Sequence, residues 1–89
     1  MPINAVFEAL AHPVRRQILA LLRQRPMSAG ELAGHFEISK PTLSVHFAKL
    51  REAELVAVER HGTTLIYHLN MSILEEALSG FLAFTEQKE

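Results

Sequence analysis

The spacing of the apolar residues changes near residue 55, and this change limits the possible folds more than any other feature of the chain. Before it, apolar residues recur at helical spacing in four consecutive segments. After it, "LVAVE" and "TLIYHL" alternate and are rich in β-branched residues, as strands are. These strands flank Arg60-His61-Gly62-Thr63, which predicts a hairpin with a positive φ at Gly62. The last segment, "SILEEALSGFLAFTEQ", is helical again.

Prolines and capping residues delimit the helices. The pair His12-Pro13 separates the first helix, "INAVFEALA", from the second, "PVRRQILALLRQ", because the residue before a proline disfavours helix. Ser28 and Glu31 have the spacing of a capping box, in which two side chains satisfy amides at a helix start. The third helix is therefore predicted to begin at Ser28. Ser72 and Glu75 repeat this spacing and predict the start of the last helix.

The order of these elements is typical of a winged helix-turn-helix. Two short helices with a tight link are followed by a small hairpin, giving a mainly α fold with the order α-α-α-α-β-β-α. We predict one domain over residues 1–89, with the helix-turn-helix at about 28–53 and the wing at about 55–69. In such a unit the N-terminal half of the second helix of the pair lies in the major groove of DNA.

The segment "ISKPTLSVHF" places a lysine where a helix start disfavours one. The first turn of a helix exposes unpaired amides and a partial positive charge, so Lys40 is at the unfavourable end of the fourth helix. A phosphate in front of that helix would make the lysine favourable. The alternative is a solvated lysine that costs a few tenths of a kcal/mol, on the order of the dipole interaction.

The outer face of the fourth helix has hydrogen-bonding groups and little bulk. If Leu43, Phe47 and Leu50 face the core, the outward residues are Lys40, Thr42, Ser44, Val45, Ala48 and Lys49. Hydroxyl groups at Thr42 and Ser44 suit base edges or phosphates, and Val45 suits a thymine methyl. His46 borders the core stripe, which leaves two alternatives, a DNA contact or a half-buried ring.

Three further cations or histidines are candidates for DNA contact. Arg60 and His61 are at the predicted hairpin tip, where they either reach a minor groove or phosphate or belong to an ordinary exposed turn. Arg15 and Arg16 begin the second helix, again at the unfavourable end for a cation. We predict that one of them, Arg16, contacts a phosphate and that the other packs or forms a salt bridge.

Composition indicates a globular protein with an uneven charge distribution. The chain has 89 residues, 48% of them apolar and 21% charged, and its net charge is −1. From residue 13 to residue 68, eight Lys and Arg against five Glu give a charge of +3. This bias favours a polyanionic partner only weakly, because ordinary solvated charge also explains it. No apolar stretch approaches the roughly 18 residues of a membrane span, and the N-terminus lacks the basic start of a signal peptide, so we expect a cytoplasmic protein without a membrane partner.

The two terminal helices have more apolar surface than one chain can bury. Apolar residues cover much more than one stripe of the last helix, and the first helix is similar. We therefore predict a homodimer through helices at about 3–11 and 72–86, with an entirely intrachain core as the alternative. The predicted interface residues are Val6, Phe7, Leu10, Leu74, Leu78, Phe81 and Leu82.

Three segments together resemble the ArsR-type winged-helix repressors, and within them the SdpR-like subgroup of autorepressors. They are "ALAHPVRRQILALL", "MSAGELAGHFEISKPTLSVHFAKLREAELV" and "ERHGTTLIYHLN", which cover most of the chain. The resemblance implies a homodimer on an inverted-repeat operator, with the first and last helices at the interface and transcription restored when DNA is released. It also implies recognition of DNA by the matching positions Ser39, Lys40, Thr42, Ser44, Val45 and His46.

Two positions depart from the family pattern, and neither of its familiar metal sites is present. His12 stands where members often have aspartate, and Val45 where many have a second histidine. The chain has no cysteine, and its last helix has no histidine or aspartate. Glu31 and His35 are the one obvious pair at one-turn spacing, but zinc usually needs three or four ligands. We therefore predict no metal and no other cofactor.

Enzyme chemistry is not predicted either. The sequence has no glycine-rich phosphate loop, no HExxH pattern and no nucleophile elbow. The function predicted from the sequence is therefore a DNA-binding transcriptional repressor. Its inducing signal is a small molecule, a protein partner or the concentration of the repressor itself. The alternative is a winged-helix module that binds another protein and no specific DNA.

Overall fold

Five helices and three short strands make up residues 3–86, which are the residues that the computed structural model describes. The predicted domain limits, residues 1–89, also include five terminal residues that lie outside this range. The predicted order of elements is confirmed, with one added strand before the third helix. The helices are α1 (Ile3–Leu10), α2 (Pro13–Gln24), α3 (Ala29–Ala33), α4 (Lys40–Glu52) and α5 (Met71–Glu86). The strands are β1 (Met27–Ser28), β2 (Val56–His61) and β3 (Thr64–Leu69).

The sheet has three antiparallel strands in the order β1-β3-β2. Strands β2 and β3 form the predicted hairpin, and Gly62 in its turn has the predicted positive φ of 65°. Strand β1 was not predicted, because two residues show no alternation and their pairing partner, Tyr67 for Met27, is distant in sequence. This short strand joins the wing to the start of α3.

The predicted helix starts agree with the structure to within one residue, but one of the two predicted capping boxes is wrong. The Ser28 hydroxyl accepts a hydrogen bond from the Glu31 amide at 3.0 Å, and the Ser28 amide donates to Glu31 Oε1 at 2.9 Å, which completes the capping box of α3. Ser39 is the N-cap of α4, so this helix begins at Lys40, where the sequence placed a helix start. Ser72, in contrast, lies inside the first turn of α5, and its hydroxyl donates to Asn70 Oδ1 at 2.9 Å. The predicted capping box at Ser72 is therefore replaced by a contact with Asn70.

The core lies between the helices and the inner face of the sheet. Its fully buried members include Ile18 of α2, Leu32 of α3 and Leu50 of α4. Leu43 and Phe47 are also buried, as the helical spacing predicted. Because one face of α4 is held by this core, its opposite face is directed outwards. No helix within residues 3–86 combines the length and the apolar character needed to cross a membrane.

Glu54, between α4 and β2, is a non-glycine residue with a left-handed backbone, φ 62°. Its amide donates to the Arg51 carbonyl at 2.9 Å, and the Leu55 amide donates to the Leu50 carbonyl at 3.0 Å, so the turn closes the end of α4. A side chain costs about 1–2 kcal/mol in this conformation. Glycine avoids that cost but loses more entropy on folding.

We expect Glu54→Gly to raise the free energy of unfolding by about 0.5–1 kcal/mol, measured by urea denaturation. Glu52→Gly, two residues earlier in the last turn of α4, removes the same charge at a site with a helical backbone. It should leave stability unchanged or lower it. Stabilisation by both variants would mean that the lost charge, and not the backbone at Glu54, is responsible.

Candidate nucleic-acid interface

The start of α4 is exposed and presents its first-turn amides together with one cation. Ser39 Oγ accepts from the Thr42 amide at 3.4 Å and donates to Thr42 Oγ1 at 2.9 Å. This arrangement leaves the Thr42 hydroxyl proton available to an acceptor outside the protein. Lys40 is the first residue of α4, and within residues 3–86 no carboxylate lies within salt-bridge distance of its ammonium group. The helix dipole and the lysine therefore create positive potential at one exposed point.

The exposed face continues along α4 through Ser44, Val45 and Ala48. Val45 is 56% exposed, although it is an apolar residue on an otherwise well-packed helix. A small hydroxyl group, a branched apolar group and a methyl group allow the helix backbone to approach a groove closely. The predicted exposure of these positions is confirmed, and their contact with DNA remains a prediction.

Lys49 lies on the flank of α4 that faces α1. Its Nζ is 3.9 Å from Glu8 Oε2, and both side chains are well solvated. A pair at this distance and exposure contributes little to stability, but it directs the lysine away from the row formed by Ser44 and Ala48. Among the predicted DNA contacts of α4, Lys49 is therefore peripheral.

His46 does not belong to the exposed face, so its predicted contact with DNA is wrong. Its side chain is buried, with 7% relative exposure. The ring lies 4.3 Å from the His12 ring, centroid to centroid, and its Nδ1 is 3.1 Å from Arg15 Nη1. The corner between α1 and α2 covers the flank of α4 on which His46 lies. The second alternative left open by the sequence, a buried histidine, is the one observed.

Arg15 and Arg16 lie at the start of α2, but their guanidinium groups neutralise the C-terminal end of α1. The Arg15 guanidinium donates to the Ala9 carbonyl at 2.8 Å and to the Glu8 carbonyl at 3.0 Å, while Arg16 Nη1 donates to the Leu10 carbonyl at 2.7 Å. These carbonyls have no partners within α1, and the C-terminal end of a helix attracts cations. Arg15 is thus the packing residue of the pair. Arg16 is exposed and remains the candidate for a phosphate contact.

The wing tip presents Arg60 and His61 on opposite faces of β2, since neighbouring strand residues alternate. His61 Nε2 lies 3.2 Å from Glu59 Oε1, and His68 Nε2 lies 3.1 Å from the same oxygen. Hydrogen bonds from His61 and His68 lower the pKa of Glu59. A carboxylate therefore accompanies His61 but is on the face opposite Arg60, which makes Arg60 the better candidate for a phosphate.

Arg51 is a candidate that the sequence interpretation missed. It is exposed in the last turn of α4, and with Ser44, Phe47, Ala48 and Tyr67 it lines a hollow of about 200 Å³ between α4 and β3. Its spacing from Ser44, seven residues or two helical turns, was the available signal. Burial raises the pKa of Tyr67, so its phenol remains protonated beside this cation.

Exposed apolar side chains are concentrated on α5. Within residues 3–86, five large apolar side chains are exposed, and all but Val45 belong to this helix. Ala77 is the buried residue of α5, and Ile73 and Leu74 pack partly against the core. The second half of α5 therefore projects from a molecule that is 52 Å long and 24 × 20 Å across. We call its exposed apolar side chains, together with Phe7 of α1, the terminal apolar face: Phe7, Leu78, Phe81, Leu82 and Phe84.

The predicted dimer residues are distributed unevenly relative to this face. The predicted place of Val6 in the dimer interface is wrong, because this residue is completely buried in the core of its own chain. Leu10 and Leu74 are half-buried against the same core. Phe7 contacts Phe81 edge to face, at 5.5 Å between ring centroids. Phe84, which the predicted interface omits, is the most exposed of the large apolar side chains at 71%.

A helix-turn-helix with an exposed second helix, followed by a β-hairpin, defines the winged-helix class of DNA-binding proteins. Residues 12–58 match the sequence profile of the family described as "Bacterial regulatory protein, arsR family". The chain belongs to this family, as its resemblance to the ArsR-type repressors predicted. Its members are transcriptional regulators, so the protein is a DNA-binding regulator and not an enzyme.

Named relatives and solved structures agree with this assignment. The transcriptional repressor SdpR of Bacillus subtilis is 42% identical over 92% of this chain and 91% of its own length. The arsenical resistance operon repressor of Staphylococcus xylosus is 36% identical over 82% of this chain and 70% of its own. NolR from Sinorhizobium fredii, a solved structure, is 31% identical with a TM-score of 0.73 and covers 93% of this chain and 82% of its own.

Metal ligation finds little support in the geometry of the described part of the chain. Between residues 3 and 86, no three histidine, aspartate or glutamate side chains are grouped as a metal site requires. Glu31, which the sequence pairs with His35, is engaged by Ser28 and by Arg25, whose Nη2 lies 3.1 Å from Glu31 Oε2. Glu31 therefore has a structural role at the start of α3.

Proposed function

We propose that the protein is a homodimeric transcriptional repressor that binds an inverted-repeat operator and regulates its own synthesis. The observation that carries this proposal is the exposed start of α4, where Lys40 adds a cation to the positive end of a helix. That arrangement is unfavourable in isolation and becomes favourable in front of a phosphate. The relative SdpR, which this chain matches over nearly its full length, is named as a transcriptional repressor.

The proposed contacts with DNA follow from the geometry of the exposed residues. First-turn groups of α4 and the wing tip bind phosphates, while the middle of α4 faces base edges. A cytoplasmic location is part of the proposal, because the operator lies there. The proposed contact residues are Ser39, Lys40, Thr42, Ser44, Val45, Arg51, Arg60, His61 and Arg16, with Lys49 at the edge of the surface.

The terminal apolar face supports the homodimer. The exposed fractions of its α5 side chains lie between 43% and 71%: Leu78, Phe81, Leu82 and Phe84. This exposure is unfavourable, because full burial of one large apolar side chain stabilises a protein by about 1.5–3 kcal/mol. A groove of about 600 Å³ runs between α1 and α5 and is lined by Phe7, Phe81 and Phe84. In a C2 dimer the same face of each chain covers that of the other, so a single interface fills the groove of both chains. The two copies of α4 then address successive major grooves, about one helical turn of DNA apart.

A second candidate function is binding of a different protein through the same face. It is favoured by one observation, the apolar groove between α1 and α5, because grooves of this kind can bind an amphipathic helix of another protein. This candidate requires no DNA and predicts a monomer in the absence of the partner. The repressor, in contrast, needs an inducing signal, which is a small molecule, a protein partner or the concentration of the repressor itself.

Titration of DNA from upstream of its own gene tests the proposed function. We expect tight binding to a fragment that contains an inverted repeat, weaker binding to a scrambled fragment, and a loss of affinity of about 10³-fold or more between 50 and 200 mM salt for six or more phosphate contacts. Fluorescence anisotropy measures the affinity, and light scattering at micromolar concentration measures the mass. A monomer that binds both fragments equally weakly at low salt would rule out the proposal and favour the protein-binding alternative.

A further inference from the structure

Arg15 joins three helices through one side chain. Its Nε and Nη2 donate to the Ala9 and Glu8 carbonyls in the last turn of α1, at 2.8 and 3.0 Å. Its Nη1 lies 3.1 Å from Nδ1 of His46 on α4, and its own backbone belongs to α2. One guanidinium therefore hydrogen-bonds both to the terminal helix α1 and to the recognition helix α4.

The direction of the hydrogen bond fixes the state of His46. A guanidinium donates and cannot accept, so His46 Nδ1 must offer a lone pair and the ring proton must be on Nε2. His12 is constrained in the same way, because its Nδ1 accepts from the Val14 amide at 3.1 Å. Protonation of His46 at Nδ1 would remove the acceptor and place a second cation against Arg15. Protonation of His12 would add a third cation, 4.3 Å from the His46 ring centre.

His46 lies where the buried and the exposed faces of α4 meet. It lies in the buried stripe between Leu43 and Phe47 and directly follows Val45, which is exposed. A rotation or shift of α4 around His46 displaces Ser44 and Val45 by a similar amount. Displacements of about 1 Å are enough to break hydrogen bonds to base edges, since those bonds tolerate only a narrow range of distance.

We infer that Arg15 and His46 are positioning residues that hold α4 in its DNA-binding orientation, and that this hold requires the neutral form of His46. The inference rests on the proposed function, because it concerns the affinity for DNA. It makes DNA binding sensitive to acid through a residue that touches no DNA. Through the same hydrogen bonds of Arg15, a displacement of α1 would also displace α4.

The surroundings of His46 favour the neutral form at neutral pH. Burial lowers the pKa of His46, and the neighbouring His12 and Arg15 lower it further. Those two groups are the charged or titratable ones that face His46 from the α1–α2 side. Glu8 of α1 is directed to Lys49, and among residues 3–86 no other carboxylate forms an ion pair with the cluster.

The sign of the pH effect follows from linkage. The unfolded chain, with a histidine pKa of about 6.5, takes up the proton before the folded chain does. The stability contributed by neutral His46 is therefore complete above pH 6.5, and it is lost as the pH falls from about 6.5 towards the lower pKa of the folded state. DNA affinity should fall over the lower part of the same range.

Two variants, His46→Asn and His46→Leu, distinguish the effect of the hydrogen bond to Arg15 from the effect of filling the space of the side chain. The asparagine amide oxygen accepts from Arg15 but does not titrate, whereas leucine fills the space and leaves the guanidinium unsatisfied. At pH about 8, we expect His46→Asn to retain most of the wild-type affinity and His46→Leu to bind DNA about tenfold more weakly. Between pH about 8 and 5.5, we expect wild-type affinity to fall about tenfold relative to that of His46→Asn.

His12→Asn is the matched control. It keeps an N-cap acceptor for α2 and removes the other histidine of the cluster, so the acid sensitivity should persist in it. Protonation of the remaining histidines adds positive charge in every variant, and the ratio to His46→Asn cancels that effect. Acid sensitivity that disappears in His12→Asn, or that persists in His46→Asn, would overturn the inference. Equal affinities of His46→Leu and wild type at pH 8 would do the same.

A measurement without DNA keeps the inference separate from the proposed function. Nitrogen-15 NMR of the free protein should show His46 with its proton on Nε2, and acidification should shift the α4 amides of Ser44 and Ala48 in wild type but not in His46→Asn. A wild type that binds no DNA but shows these shifts would refute the proposed repressor and retain the link. Absence of the shifts in a protein that binds DNA would refute the link alone.

Discussion

Phe81→Glu is expected to turn the protein into a monomer at micromolar concentration. Phe81 is 44% exposed, contacts Phe7 and lines the groove between α1 and α5, so it lies at the centre of the terminal apolar face. A carboxylate buried there without a partner costs several kcal/mol, and the two-fold symmetry of the proposed dimer applies that cost twice. Light scattering should give the mass of one chain, about 10.0 kDa, instead of two.

The same variant should lose DNA affinity without losing its DNA-binding surface. Two linked recognition helices bind more tightly than one by about 10²–10⁴-fold, because the second contact becomes intramolecular. We therefore expect Phe81→Glu to weaken operator binding about a hundredfold or more while the helix content, measured by circular dichroism, is retained.

Ser79→Glu is the control for charge on α5. Ser79 is exposed about 200° around the helix from Phe81, on the polar side, so an added carboxylate there should leave both mass and affinity unchanged. If wild type is already monomeric at micromolar concentration, the homodimer proposal fails. If Ser79→Glu dissociates the dimer as well, the interface is not the terminal apolar face.

Lys40→Glu is expected to change DNA binding and stability in opposite directions. Lys40 is exposed at the first position of α4, where the unpaired amides of the helix favour an anion. Replacing it with glutamate should therefore raise the free energy of unfolding by about 0.3–1 kcal/mol. In a complex with DNA the same glutamate faces a phosphate, so affinity should fall by about 1 kcal/mol or more, and the salt dependence should become less steep by about one phosphate contact in each half-site.

Arg23→Glu makes the same change in net charge at a different place. Arg23 is exposed in the last turn of α2, where it lines a hollow with residues 68, 69 and 71, away from α4. Arg23→Glu should reduce DNA affinity only through the long-range electrostatic field of the protein. At 200 mM salt the Debye length is short, about 7–8 Å, so this loss should be much smaller than that in Lys40→Glu. Equal losses in the two variants would mean that Lys40 contributes net charge and no phosphate contact. Unchanged affinity in Lys40→Glu would contradict its assignment to the interface.

Most elements of the fold could be predicted, because their signals are local. Pro13 and Pro41 lie in the first turns of α2 and α4, and the capping box at Ser28 and Glu31 occurs as expected. The hairpin follows from alternation and from Gly62, whose φ is positive as predicted. Strand β1 could not be predicted in this way, because its two residues acquire their structure by pairing with β3.

The errors at the candidate sites have a common physical cause. Helical spacing shows which residues lie on an apolar stripe, but not which neighbouring element covers each flank of that stripe. His46 is at such a flank and is covered by the corner between α1 and α2, while Val6 faces the core of its own chain. The carbonyl partners of Arg15 and Arg16 could not be predicted from helical spacing for the same reason, since they belong to the last turn of α1, a helix that packs beside these residues.

Local sequence patterns were sufficient to predict the five helices, the hairpin, their order, the family and the outward direction of Lys40, Ser44 and Val45, because these depend on spacing within single segments. The packing of α1 and α2 against α4 is a tertiary feature: it buries His46 and gives Arg15 three acceptors in two other helices. Within residues 3–86 it also leaves the large apolar side chains in the second half of α5 exposed. Such contacts join residues up to 31 positions apart, as Arg15 and His46 are, and no local pattern in a single sequence encodes which of these residues meet.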